Sequence, residues 1–257
     1  MQIAREVRLA RALTGWDTIA PMGGMSAARR GLTLAVILAA MGASDAKGLD
    51  PDLRLSQLQV TQWNRERGFP ATTVLRLVQT ADGSLWIGTG FGLVRFDGRR
   101  FTAYKRATHP GLPSDNVAAL AVEGEVLWVG TAAGLARLER GELVRVTAGV
   151  PEERIDHVWL DRGGGLWVAT GRQVFRREGE AFVLVRDANG APTGQARSFV
   201  QTADGSIWMN GPPLRRWRDG RVEPVDVGDE IRLVVDDGKG GFFAIGSKEL
   251  LLYLIHI

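Results

Sequence analysis

The stretch DGSLWIGTGFGLVRFDG, residues 82–98, decides the fold. It begins at Asp82-Gly83 and ends at Asp97-Gly98, with two short apolar runs between them. Aspartate-glycine beside apolar runs marks a hairpin, because glycine accepts the positive φ that a tight turn requires. The runs 85–89 and 92–96 therefore read as two strands. Working outward, 73–80 is a third β-rich run and 100–105 a fourth.

The stretch then returns as EGEVLWVGTAAGLARLERG (123–141), DRGGGLWVATGRQVFRREG (161–179) and DGSIWMNGPPLRRWRDG (204–220). A weaker fifth copy is DGKGGFFAIGSKELLLY (237–253). Trp86, Trp128, Trp167 and Trp208 mark the copies at spacings of 42, 39 and 41, and Phe243 or Ala244 falls near that place in the fifth. Four short antiparallel strands in ~40 residues make one blade of a β-propeller. The expectation is an all-β fold, a propeller of four-stranded antiparallel blades, with about five blades in an incomplete ring. The blades lie near 72–105, 115–147, 154–186, 196–226 and 229–257. The recurring tryptophans read as packing between neighbouring blades, and Gly88 and Gly130 as structural members of the repeat. Residues 58–63 resemble the fourth strand of blade one and read as an orphan strand that closes the ring, removing an open edge.

Composition agrees. Glycine is 33 of 257 residues and proline 10, which suits a turn-rich chain. The absence of cysteine excludes a disulfide scaffold, a thiolate zinc site and a cysteine nucleophile. Three histidines leave little for a metal cluster, and no metal or cofactor is expected. Residues 47–257 hold 27 basic and 26 acidic side chains, with no basic stripe of the kind that binds nucleic acid.

Residues 25–46, MSAARRGLTLAVILAAMGASDA, have the layout of a secretory signal peptide: two arginines, an apolar run from Leu32 to Met41, then small residues. The run is too short to span a membrane, which takes ~20 residues. Met25 reads as the true start and residues 1–24 as an over-extended beginning. Residues 47–257 then form the propeller.

The pattern of residues 74–98, together with Gly111-Leu112-Pro113-Ser114-Asp115-Asn116-Val117, resembles the two-component regulator propeller repeat. The resemblance covers roughly 56–250 and fades after the second copy. It implies a periplasmic sensor region of a hybrid histidine kinase or diguanylate cyclase, anchored in the inner membrane and here a fragment. It implies no catalysis in this chain. Expected partners are an unknown small molecule or glycan and the following sensor and output domains, with a dimer left open and no nucleic acid. Two other functions fit a propeller: a secreted protein-interaction module, and an exported lyase or hydrolase.

No catalytic motif stands out. Gly163-Gly164-Gly165 reads as a turn, Glu152, Glu153 and Asp156 as a solvated loop, and His109-Pro110 as an inter-blade connection. A propeller's ligand sits where the innermost strands open. Aligning first strands puts Arg76, Ala119, His157 and Ser198 in one column and Leu75, Ala118, Asp156 and Arg197 in the next. The expected ligand contacts are Arg76, Asp156, His157, Trp159 and Arg197.

Overall fold

The structure, a computed structural model, describes residues 61–71, 73–227 and 230–246 and the backbone of 252–255. The signal-peptide segment, the upstream 24 residues and positions 58–60 of the expected closing strand lie outside the described residues. The chain divides into two compact units, residues 1–61 and 62–257, and in the first only Thr61 is described.

The second unit is all-β, a β-propeller with five blades in an incomplete ring. Blade one is β1 (Val74–Gln79), β2 (Leu85–Thr89), β3 (Gly92–Phe96) and β4 (Phe101–Tyr104). Blade two is β5 (Val117–Glu123), β6 (Val126–Thr131), β7 (Gly134–Glu139) and β8 (Glu142–Val146). Blade three is β9 (Ile155–Leu160), β10 (Leu166–Thr170), β11 (Val174–Glu178) and β12 (Ala181–Leu184). Blade four is β13 (Ser198–Gln201), β14 (Ile207–Asn210), β15 (Leu214–Arg218) and β16 (Arg221–Val225). Blade five has, among the described residues, three strands, β17 (Ile231–Asp236), β18 (Phe242–Gly246) and β19 (Leu252–Ile255). Each sheet is an antiparallel meander in chain order.

The burial pattern follows position in the blade. β10 is buried at every residue, because neighbouring blades cover both faces of a second strand. The outermost strands β8, β12 and β16 each bury their second residue between exposed neighbours, since only one of their faces is covered. The core accordingly lies between blades. One cluster joins Trp86 and Leu93 of blade one to Val117, Leu120 and Val129 of blade two. The next joins Trp128 and Leu135 to Ile155, Val158 and Val168. Trp167 packs with Phe199 and Met209, and Trp208 with Ile231 and Val234.

Each of these tryptophans also needs a partner for its indole N–H once it is buried. Trp86 Nε1 donates to Thr80 Oγ1 (3.2 Å), and Trp208 Nε1 to Thr202 Oγ1 (3.3 Å). Trp128 donates to Glu123 Oε2 and Trp167 to Asp161 Oδ2, both at 2.9 Å. The partner lies five or six residues earlier, at or just beyond the end of the first strand. In the fifth copy Phe243 takes the tryptophan's place: it pairs with Val235 as Trp86 pairs with Val78.

Two glycines of the repeat are needed for close approach. A Cβ at Gly88 would stand 2.9 Å from the Val117 carbonyl oxygen of the next blade, and one at Gly130 2.7 Å from Ile155 Cγ2. The threonine after each glycine ties the following turn: Thr89 and Thr131 Oγ1 donate to the carbonyls of Gly92 and Gly134 at 2.7 and 2.8 Å.

Of the expected closing strand, 61–63 carry no strand pairing. Trp63 instead packs edge-on against Phe96 and Phe101 of blade one, at 5.2 and 5.3 Å between ring centroids.

Candidate functional site

The first strand of a blade is where the ring turns inward, and four of the five first strands are bulged there. The register slips between Val74 and Arg76, between Val117 and Ala119, between Ile155 and His157, and between Ile231 and Leu233. The extra residues are Leu75, Ala118, Asp156 and Arg232. A bulge leaves one residue unpaired and re-aims its side chain. Blade four has no slip: Ser198 pairs with Asn210, and Arg197 N donates to the Asn210 carbonyl at 2.6 Å.

Three of the bulged residues, Leu75, Ala118 and Asp156, line one cavity of about 290 Å³. Arg76, Arg154, His157, Gln195 and Arg197 share it. Blades one, two and three and the entry to blade four thus meet at one mouth. The sequence columns containing Arg76, Asp156, His157 and Arg197 come together there. Trp159 does not join them. It stacks on Phe199 in the core between blades three and four, with ring centroids 5.5 Å apart and planes 8° from parallel. Its large flat ring serves packing, which one residue's place on the strand does not reveal.

The charges at the mouth are mostly matched. Arg154 Nε donates to Asp156 Oδ1 at 2.7 Å, and Arg197 Nη1 to Glu230 Oε1 at 3.2 Å. Arg76 Nη1 donates to its neighbour's carbonyl, Leu75 O, at 2.8 Å and makes no carboxylate pair among the described residues. His157 is held below its usual 6.5, chiefly by burial and then by the positive charge of Arg76, with Asp156 opposing. Its ring is therefore neutral at pH 7, with one nitrogen donating and one accepting. The cavity offers a surplus guanidinium, a neutral imidazole and the Gln195 amide, which suits binding of a small anion-bearing molecule. Among the described residues no group of three or more His, Asp or Glu is placed to hold a metal ion.

Sequence reasoning passed over Arg154, although it stands two residues before Asp156 on the approach to the same strand. It also passed over the arginines that answer the tryptophans from the third strand. Trp86, Trp128, Trp167 and Trp208 face Arg95, Arg137, Arg176 and Arg216 in register. The signal was available, as an arginine eight or nine positions after each tryptophan.

A second cavity, about 350 Å³, opens between blades one and two beside Trp86, Asp82 and Arg95. Here Asp82 is committed to the turn. It accepts from Thr80 Oγ1 (2.5 Å), Ser84 N (3.1 Å), Ser84 Oγ (2.9 Å) and Arg95 Nη2 (2.9 Å). These bonds, the one from Thr80 first, lower its carboxyl to about 2. Asp204 repeats the arrangement with Thr202, Ser206 and Arg218. The conserved geometry of two blades makes this a turn brace.

Comparison with known proteins places the repeat. Residues 68–91 match the family described as two component regulator propeller. The match spans the approach to blade one and its first two strands, β1 and β2. No curated protein matches the sequence. Among solved structures, the extracellular domain of the hybrid two component system BT3049 from B. thetaiotaomicron superposes with TM-score 0.63 and 21% identity, covering 75% of this chain. This chain spans 30% of that one's length. An ancestral GH74 enzyme superposes with TM-score 0.56 and 13% identity, over 72% of this chain and 31% of the enzyme. Virginiamycin B lyase from Staphylococcus aureus gives 0.52 and 12%, over 70% of this chain and 69% of the lyase. At these identities the likeness is one of fold, shared by sensors and enzymes alike.

Proposed function

We propose that this propeller is the extracytoplasmic ligand-sensing region of a two-component-type receptor, and that it binds without catalysing. The observation that carries the reading is the inner-strand mouth, where Arg76 of blade one, His157 of blade three and Arg197 at the entry to blade four line one cavity. The family match and the fold shared with a hybrid two component system's extracellular domain support the receptor context. The ligand is a small molecule or glycan carrying an anionic group. Arg76 meets the anion, His157 and Gln195 meet neutral polar groups, and the Arg154–Asp156 pair fixes the floor. Asp156 accepts from Arg154 at 2.7 Å, which favours a positioning role over that of a free base.

A ligand that touches three blades at once stabilises one relative placement of them. It shifts the receptor only by its differential affinity for that placement over the alternative. The signal then passes to a neighbouring domain packed on the propeller. No helix among the described residues is long and apolar enough to cross a membrane.

The test is a thermal-shift screen of the chain against small carboxylates, sulfated sugars and acidic sugars. At least one compound is expected to raise Tm, and the Arg76→Ala/Arg197→Ala double variant to lose the rise. A rise that survives in the double variant contradicts the proposed site.

A further inference from the structure

Blade four differs from the other blades where it meets the mouth. Blades one, two and three each bring a bulged residue to the cavity, Leu75, Ala118 and Asp156. Blade four has no bulge, and its contributions, Gln195, Ala196 and Arg197, lie on the segment just before β13. Something other than strand pairing must hold that segment. Thr193 N donates to the Val185 carbonyl at 3.2 Å, and Arg197 N to the Asn210 carbonyl at 2.6 Å. Between those two anchors, among the described residues, the backbone of 194–196 makes a single hydrogen bond: the Gln195 carbonyl accepts from Arg215.

Arg215 is out of place in the repeat. It pairs with Met209 as Val94 pairs with Ile87, Ala136 with Val129 and Phe175 with Val168. All four third-strand residues are buried, and Arg215 is 6% exposed. A buried cation is costly unless its N–H groups are met. Here backbone meets them: Nη1 donates to the Thr193 carbonyl and Nη2 to the Gln195 carbonyl. Among the described residues no carboxylate joins them, and Nε has no partner. Two glycines make the room. A Cβ at Gly194 would stand 3.1 Å from Nη1, and one at Gly211 2.8 Å from Nη2. Apolar side chains fill this position in three blades, so packing does not require an arginine. What arginine adds is a planar fork that reaches two carbonyls at once.

We propose that Arg215 is a positioning residue of the mouth: its guanidinium fixes the entry segment 193–197 and so presents Gln195 and Arg197 to a bound molecule. It does for blade four what the bulge does for blades one to three, where an extra residue re-aims a side chain. Arg215 itself does not line the cavity, so it acts through the segment it holds. The role rests on the reading of this cavity as the binding site, but the anchoring is testable without a ligand.

The test is NMR amide relaxation in the full chain, read at the backbone of 194–197 and at the Gln195 side-chain amide. The parent is expected to give backbone order parameters of ~0.85, the rigid value, and Arg215→Met values below ~0.6, with order lost at the Gln195 side-chain amide as well. Arg215→Lys keeps the charge but lacks the fork, so its values lie between the two. Met209→Ala is the control for plain loss of packing. Met209 is fully buried beside Arg215 on the neighbouring strand, so this variant unfolds at lower urea yet keeps the parent's order at 194–197. Two results overturn the proposal: a segment as ordered in Arg215→Met as in the parent, or one loosened equally by Met209→Ala. If Arg215→Met does not fold, Arg215→Lys decides, and parental order in it overturns the proposal. Loosening in Arg215→Met beside an empty ligand screen would sink the site and keep the anchor, whereas an ordered segment beside a confirmed ligand would sink the anchor alone.

Discussion

Arg177 of blade three lies 5.4 Å over the ring of Trp128 in blade two, and its Nη1 donates at 2.7 Å to Glu123, the same carboxylate that accepts the Trp128 indole N–H. In blades one, three and four the arginine over the tryptophan comes from the tryptophan's own blade: Arg95 over Trp86, Arg176 over Trp167 and Arg216 over Trp208. Blade two has a candidate of its own in Arg137, the register partner of Trp128, but Arg137 turns toward Glu139 and Glu180. The cation at Trp128 is therefore supplied across the blade boundary, and three side chains lock blades two and three together.

Arg177→Ala is expected to lower stability by about 1.5–3 kcal/mol, the range for losing a hydrogen bond to a charged partner. Urea unfolding checks it: the midpoint falls while the slope is unchanged. Arg137→Ala, whose ion pairs are looser and more exposed, is expected to cost less than about 1 kcal/mol.

Trp167→Ala is expected to cost about 3–5 kcal/mol, as for other large aromatic truncations in a core. Trp167 is fully buried, and it packs against Phe199 and Trp217 as well as donating to Asp161. Trp167→Phe keeps most of the packing and loses that hydrogen bond, so its unfolding midpoint lies between those of the parent and the alanine variant.

The links between blades hold glycines for a steric reason. A Cβ at Gly149 would run into the Phe182 carbonyl of the outermost strand of blade three, and φ there is +75°. The connection lies against that strand's edge, where Phe182 N donates to the Ala148 carbonyl at 3.0 Å. Gly149→Ala is expected to lower stability by about 2–3 kcal/mol in thermal or urea unfolding. Gly90→Ala is the control, because nothing lies within 4 Å of its Cβ position, and it is expected to change stability by less than roughly 0.5 kcal/mol.

Acid destabilises the molecule in two steps. Asp82 is lowered to about 2 by hydrogen bonds, and Asp204 is lowered by its threonine and serine partners despite burial, which opposes them. The unfolded carboxyls bind protons more readily than the folded ones, so this stabilisation is complete above the unfolded value of ~3.9 and is lost as pH falls toward 2. His157 acts earlier. Its folded imidazole resists a proton that the unfolded one accepts near 6.5, so stability declines as pH falls below that value. His157→Gln is expected to flatten the decline below pH 6.5 and to leave the loss below pH 4 intact, as followed by unfolding across pH.

The blades were legible in the sequence because a strand pair with an Asp-Gly turn and a marker tryptophan recurs at nearly constant spacing. Backbone rules and bulk apolar burial determine those features locally. The fifth blade was legible despite its lost tryptophan, since Phe243 keeps the aromatic in register with Val235. The mouth was readable in part. Aligned first strands brought Arg76, Asp156, His157 and Arg197 to one cavity, but alignment cannot separate a side chain facing the channel from one turned into the next junction, and Trp159 is the latter. The bulges that aim Leu75, Ala118 and Asp156 inward leave no signature in a single sequence, because they arise from how the strand meets its neighbour. The arginine clamp of Arg177 on Trp128 was equally hidden, since its two halves lie 49 positions apart in different repeats.

Ligand binding at the inner-strand mouth is the claim on which the functional reading stands. The most direct measurement is an NMR titration of the imidazole resonances of isotope-labelled protein with any compound that raises its Tm. The prediction is a saturable shift of the His157 signals, with those of His109 unmoved and the response lost in Arg76→Ala. A stabilising compound that leaves His157 unmoved would contradict the account.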